Sequence, residues 1–345
     1  MASAAQEGAV AFGETDRALR IAVVGGGISG LSAAWLLSQR HAVTLYEADE
    51  RLGGHANTHL APGRKGLAPV DTGFIVYNEE NYPNFTALLG ELGVASREAM
   101  MSLSVSLDDG AFEYSSDVTG LFAQGRNLFS RRYWAMLRDV GRFYRHGVAE
   151  VAEIADPELA LGDYLERKGY CRAFQEDHLL PQAAAIWSTP LSAIRDYPAE
   201  ALVRFFQNHG MMRLTGRGRW RTVVGGSQAY VRKLAAAFDG ETRVGAKVAG
   251  VRRDAAGVEV READGRVQRY DHVVIAAHAD HALAMLDDAG AVERRVLSAF
   301  RYSANQAVLH SDRNLMPKRR LAWSSWNHIG RRDAAQDGCV TYWMN

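Results

Sequence analysis

The chain has 345 residues, 47% of them apolar, with 40 basic and 40 acidic side chains. That length supports a large core and two domains, and a net charge of zero gives no electrostatic footprint for nucleic acid. Its two cysteines, Cys171 and Cys339, lie far apart without a CxxC, which argues against a disulfide framework or zinc site and fits a reducing cytoplasm.

In chain order, residues 1–19 are mostly small and polar and read as a disordered arm. No charged-then-apolar leader is visible, and no apolar run reaches the ~18 residues that span a membrane. Ile21–Val24 is a short apolar run, followed by a turn through Gly25, Gly26 and Gly27 to Gly30. The helical stretch Leu31–Leu37 and a second strand, Val43–Tyr46, lead to Glu47. Strand, glycine turn, helix, strand and acid make the first unit of a dinucleotide-binding fold. Gly25 permits the tight turn, Gly27 lets backbone approach a pyrophosphate, and Gly30 lets helix pack on strand. The helix N-terminus offers unpaired N–H groups and partial positive charge to a diphosphate. Glu47 stands 17 residues past Gly30. Its carboxylate can accept from both ribose hydroxyls and would repel a 2′-phosphate, which favours FAD or NAD over NADP.

The continuation Arg51-Leu52-Gly53-Gly54-His55 adds a second glycine pair, a sign of another close backbone approach further along the same ligand. With it, the pattern VVGGGISGLSAA…VTLYEADERLGG resembles the flavin-containing amine oxidase and phytoene desaturase superfamily. His55 stands where that family often has arginine. The resemblance implies an α/β fold: a Rossmann-like FAD-binding domain of the amine-oxidase type, interleaved with an α+β substrate domain. On it, Ile28, Ser29, Ala48 and Arg51 join Gly25, Gly27, Gly30, Glu47, Gly53, Gly54 and His55 around FAD. The FAD-binding domain is expected at 20–99 and 216–290, and the substrate domain at 100–215 and 291–345.

Ala61–Pro69 reads as a Gly/Pro loop, and Val70–Val76 as a strand broken by Gly73. A glycine inside a strand marks a bend or a close ligand approach. In the family a similar Asp-x-Gly segment lines the flavin, which makes Thr72, Gly73 and Phe74 candidates. Tyr82–Gly93 is expected to be a short helix with a glycine stop. Met101–Leu107 and Ala111–Ser115 alternate as a hairpin.

Residues 120–154 read as largely helical, with Trp134, Leu137, Tyr144, Val148 and Val151 on one side and Arg131, Arg138, Arg142 and Arg145 mostly elsewhere. Such a helix could lie on an anionic membrane face, or be an ordinary domain helix with a solvated basic side. In the helical stretch 179–206, Trp187, Phe205 and Phe206 could wall an apolar cavity or simply form core.

Gly225-Gly226-Ser227 opens a helix to Phe238, so glycines again stand at a helix start. Strands are expected at Thr242–Val251, Gly257–Arg261 and Asp271–Ala277. The family has this same order, which implies that Val248 covers the adenine and that Ala276 and Ala277 lie near the diphosphate. His278, Asp280 and His281 invite a metal reading, but directly after a cofactor strand structural roles are expected, with no metal. Glu293–Phe300 reads as a helix. Gln306–His310, Leu321–Trp326 and Val340–Met344 read as strands flooring a substrate cavity. Tyr302, His310 and Lys318 fall in the region of a catalytic base, without a geometry to choose one. The resemblance also implies a final FAD segment beyond the substrate sheet, which these residues do not include.

IWSTP, RFFQNHG, VVGGSQAYV and WSSWN narrow the resemblance to bacterial amine-oxidase-like proteins associated with cyclopropane-fatty-acid synthases and related lipid methyltransferases. That implies an FAD-dependent oxidoreductase acting on a C–H bond of a lipid or modified acyl chain. A lipid methyltransferase is then an expected partner, and the cytoplasm or the inner membrane face the expected location. A small amine substrate, an NAD-linked dehydrogenase and a non-catalytic flavoprotein scaffold are the competing readings.

Overall fold

The computed structural model describes residues 17–63, 65–187, 189–213, 219–332 and 338–344. Apart from Arg17–Leu19, the expected N-terminal arm lies outside the described residues. Two compact units form: one from the chain up to Phe74 together with Gly225–Tyr302, the other from Ile75–Val224 together with the chain from Ser303. Residues 75–99 and 219–224 thus fold with the second unit, and 291–302 with the first.

The first unit is built from β1 (Arg20–Val24), α1 (Ile28–Ser38), β2 (Ala42–Tyr46), β3 (Thr58–Gly63), β4 (Gly66–Asp71), α2 (Gln228–Ala237), β5 (Glu241–Arg243), β6 (Val248–Asp254), β7 (Gly257–Glu262), β8 (Val267–Tyr270), β9 (His272–Ile275), α3 (Ala279–Met285) and α4 (Ala291–Leu297). A parallel sheet runs β5-β2-β1-β9, with Val24 opposite both Tyr46 and Ile275, so three strands end level. Both inner strands are apolar and buried, as a sheet covered on both faces requires. The antiparallel sheet β6-β7-β8 shares a core with the parallel sheet through Val248, Val251, Val260 and Tyr270 against Ala22, Val24 and Tyr46. Each such valine contributes about 1.5–3 kcal/mol by leaving water. Inside that core the Tyr46 and Tyr270 hydroxyls are 2.6 Å apart. Burial, then Tyr270, pushes the Tyr46 hydroxyl well above the usual phenol range.

Three sequence expectations change here. The loop expected at 61–69 is the antiparallel ribbon β3-β4, turning at Gly66 with φ +112°. A two-stranded ribbon leaves each strand an outer edge, so Pro62 and Pro69 are tolerated. The strand expected over 70–76 ends at Asp71. The strand expected over 242–251 is broken into β5 and β6, with Gly245 at φ +63° between them.

In the second unit, Leu103–Leu107 pairs antiparallel with Phe112–Ser115 and parallel with Trp326–Gly330, which in turn pairs with Cys339–Tyr342. Ser104 donates to Asn327 Oδ1 at 2.7 Å inside this sheet. A smaller sheet joins Trp220–Val223 to Tyr77–Asn78 and Ser96–Ala99. The helix Pro83–Glu91 stops as expected, with Gly93 left-handed at φ +59°. The long helix Arg131–Ile154 packs with Leu161–Arg167 and Ala199–Asn208 around Phe143, Tyr164, Phe174 and Phe206. Trp187 and Phe205 pack against that cluster, and Phe206 is fully buried, so these aromatics serve core. The long helix buries Tyr133, Met136, Phe143, Gly147 and Val151 and leaves Trp134 and Val148 exposed, a stripe rotated from the expected one. Gln306–His310 is exposed and unpaired rather than a strand, and of the strand expected at Leu321–Trp326 only Trp326 is strand, after a 3-10 turn ending at Ala322 and three irregular residues. Among the described residues no helix is long and apolar enough to cross a membrane.

Candidate functional site

The site forms where β1, β2 and β9 end together. Gly25 takes φ +108°, and a Cβ there would collide with the Ala276 carbonyl oxygen. Ala276 donates back to the Val24 carbonyl at 2.7 Å. Gly30 meets the Gly25 carbonyl so closely that any side chain would drive α1 off the strand. Gly27 differs from both. Its backbone is extended, at φ −72° and ψ −178°, and beyond its chain neighbours no protein atom lies within 4 Å of where its Cβ would be. Neither conformation nor packing requires glycine there, and the open space is a cradle that a ligand can fill.

Above this cradle α1 begins without a side-chain cap, so the leading N–H groups around Ile28 and Ser29 stay available to an anion. The second glycine pair closes on the first. Gly53 donates to the Gly26 carbonyl at 2.8 Å, Gly27 and Gly53 form a bridge, and a Cβ on Gly54 would lie 3.3 Å from the Gly27 Cα. Arg51 fixes this second turn by donating to the Gly54 carbonyl at 3.0 Å. Glu47 stands at the end of β2, half-buried, accepting from the Gly26 N–H at 2.6 Å and the Asp49 N–H at 2.8 Å. Its neighbour Ala48 is exposed.

Thr72, Gly73 and Phe74 join the same cluster. Thr72 N–H donates to the Asn57 carbonyl at 2.9 Å and Phe74 N–H to the His55 carbonyl at 2.8 Å. A Cβ on Gly73 would strike that His55 carbonyl. Val248 is buried beside Tyr46 in the core beneath. Thirteen of the sixteen sequence-derived positions thus belong to turns that hydrogen-bond, bridge or abut one another, or to the open start of α1; Glu47, Ala48 and Val248 complete the set at the end of β2 and in the core below it.

The glycines at 225–226 stand at a helix start, as expected. The start of α2 is capped by the protein itself: Asp71, buried, accepts from the Ser227 N–H at 2.9 and 3.0 Å, the Ser227 hydroxyl at 2.6 Å and the Thr58 hydroxyl at 2.6 Å. Gly226 is left-handed at φ +83° and abuts Thr58. Gln228 reaches from the same helix to the Ala56 carbonyl at 2.5 Å. Asp71, Ser227 and Gln228 thus pin the second glycine turn, a job the sequence did not assign. A lone aspartate ending an apolar strand was the available signal.

Of the remaining candidates, His278 reaches this cluster, its ring stacked 5.6 Å from that of His55. His278 stacks on Tyr302 at 4.4 Å between centroids, and the Tyr302 hydroxyl accepts from the Ala279 N–H. Asp280 and His281 place ligand atoms within 4.8 Å of those of His278, all three exposed. His310 accepts from the Asp312 N–H, and Lys318 pairs with exposed Asp109 at 2.7 Å. In the second unit, Trp323, Trp343, Met100, Arg97, Thr222 and Ser324 are among the residues lining a pocket of about 200 Å³.

Known proteins share parts of this sequence and its fold. The chain is 40% identical over 80 residues to coproporphyrinogen III oxidase of Mycobacterium leprae, covering 22% of this chain and 17% of that one. It is 52% identical over 46 residues to the L-amino-acid oxidase of Pseudechis australis, 13% of this chain and 9% of the other. Putrescine oxidase bound to putrescine shares the fold at a TM-score of 0.62 and 16% identity, over 82% of this chain and 63% of that one. A fatty acid isomerase from P. acnes that produces CLA does so at 0.56 and 18%, over 81% and 63%. The chain therefore spans under two thirds of these relatives' lengths. FAD is the cofactor implied, and the open Gly27 cradle, the uncapped helix and Glu47 fit its diphosphate and ribose. Matched over residues 28–320, this chain belongs to the flavin containing amine oxidoreductase family.

Proposed function

We propose that the protein is an FAD-dependent oxidoreductase that withdraws hydride from a C–H bond of an apolar, acyl-chain substrate. The observation that carries the flavin half is Gly27, extended and with open space where its Cβ would be, at the mouth of a helix with no side-chain cap. In this reading the N–H groups of α1 hold the diphosphate, and Gly53 and Gly54 let backbone approach the ligand further along. Glu47 orients the ribose, exchanging its Gly26 hydrogen bond for hydroxyl donors. Thr72–Phe74, fixed by the His55 and Asn57 carbonyls, extends the surface the cofactor rests on. When bound, the flavin accepts the hydride; the protein's part is to bind, orient and exclude water.

The acyl chain is favoured by the sequence subgroup, whose members accompany lipid methyltransferases, and a methyltransferase is the partner proposed. The fatty acid isomerase is one acyl-directed example of the fold, and putrescine oxidase an amine-directed one. Anaerobic mixing of the flavin-loaded protein with candidates separates them. Bleaching of the flavin absorbance by methylated or unsaturated acyl lipids is expected; bleaching by simple amines but not by lipids would overturn the substrate assignment.

A further inference from the structure

The segment before the long helix of the second unit holds aromatic side chains out in water on a rigid support. Phe129 is 90% exposed, and Leu128, Trp134 and Phe122 are exposed beside it. The support is not loose. Gln124, buried, accepts from the Glu113 N–H at 2.9 Å and donates to the Ala111 carbonyl, and buried Asn127 donates to the Glu113 carbonyl at 3.0 Å. Trp134 Nε1 donates to the Leu128 carbonyl at 2.8 Å, its ring lies 6.0 Å from Phe122, and Ser130 caps the helix by accepting from Tyr133 N–H. Two buried amides are committed to a turn whose outward product is an exposed phenylalanine. Apolar surface presented this way marks an interaction site.

The charge around it points to the partner. Between residues 117 and 150 there are six arginines (126, 131, 132, 138, 142 and 145) and three acids, Asp117, Asp139 and Glu150. Asp139 is buried and already accepts from Arg138 and the Cys171 N–H, and Glu150 pairs with Arg142. Arg126 and Arg131 are exposed and make no ion pair among the described residues. Arg126, Arg132 and Arg332, together with Phe129 and Ser130, line a depression of about 390 Å³. Arg132 and Arg332 there already meet Asp177, Glu176 and Asp108, which leaves Arg126 as the uncommitted cation. Phenylalanine and tryptophan beside unpaired arginines is the composition of a surface that rests in an anionic lipid headgroup layer.

We infer that this face, Phe122–Trp134, docks the protein on an anionic bilayer, with Phe129 and Leu128 entering the acyl boundary and Arg126 and Arg131 meeting lipid phosphates. The proposal stands apart from the flavin reading, and its test does not involve turnover. The purified full chain is sedimented with vesicles of phosphatidylcholine alone and of phosphatidylcholine with about one third phosphatidylglycerol. Binding to the anionic vesicles only, weakened by raised salt, is expected. Phe129→Ala lowers that partitioning about tenfold. The pair Arg126→Glu and Arg131→Glu lowers it by at least about 25-fold, since each arginine near the surface accounts for roughly fivefold. None of these side chains supports the core, so the variants melt with the wild type. Absence of binding to either vesicle, equal binding to both, or binding unaffected by the variants would overturn the inference. So would a concentration-dependent dimer broken by Phe129→Ala without vesicle binding, which would assign the face to a second copy of the chain.

Discussion

Gly27 and Gly30 are three residues apart and are glycines for different reasons. Gly30 is held by the protein, because a methyl group there meets the Gly25 carbonyl. A Cβ on Gly27 meets open space and its backbone is extended, so alanine fits there. Gly30→Ala is therefore expected to cost about 1–3 kcal/mol of stability by overpacking, read as a lower melting temperature of the apoprotein. Gly27→Ala is expected to leave apoprotein melting unchanged or raise stability by up to about 1 kcal/mol, while FAD affinity falls at least tenfold. Equal destabilisation by both would refute the distinction. The spacing of these glycines was legible in the sequence, because a strand, turn and helix carry their requirements locally. The sequence also separated Gly30, as a packing glycine, from Gly27; what it did not show is the bridge from Gly27 to Gly53 or the contact of Gly30 with Ala276, partners distant in the chain.

At the scale of elements, the start of α2 shows the limit of local reading. A glycine pair before a helix looks the same whether a ligand or a carboxylate completes it. Here Asp71, 156 residues away, takes the place. Asp71→Ala strands the Ser227 N–H and two hydroxyls, and a loss of about 2–4 kcal/mol is expected in denaturant titration. Glu150 performs a similar fastening in the second unit. It accepts from Tyr164 at 2.8 Å and Tyr170 at 2.7 Å and pairs with Arg142 at 3.1 Å, tying the long helix to its neighbours. Burial alone would raise its carboxyl, but the hydrogen bonds from Tyr170 and Tyr164 and the Arg142 guanidinium outweigh burial and hold it below 4.5. A carboxyl lowered on folding contributes stability above its unfolded value and loses it as pH falls through the folded one. Glu150→Gln is thus expected to be less stable than wild type by about 1–3 kcal/mol near pH 7, with the gap closing below pH ~4.5. A gap independent of pH would contradict this.

For the whole molecule, the nucleotide-binding half could be read from its sequence because its signals repeat at short range: β1, α1 and β2 follow one another within 27 residues. The second unit could not be read so far. Its central sheet pairs Ser104 with Asn327 in parallel, and its small sheet is completed by Trp220–Val223; neither pairing leaves a local trace. The helix Arg131–Ile154 was legible as a helix, but its buried face depended on the neighbours that Phe143 and Met136 meet. The central claim is that the first unit is built to hold FAD. Its most direct test is titration of the apoprotein with FAD, NAD and NADP, followed by flavin absorbance and protein melting, with Gly27→Ala in parallel. Saturable binding of one FAD per chain, raising the melting temperature of the wild type but not of Gly27→Ala, is expected. Tighter binding of NAD or NADP than of FAD, or FAD binding untouched by Gly27→Ala, would contradict it.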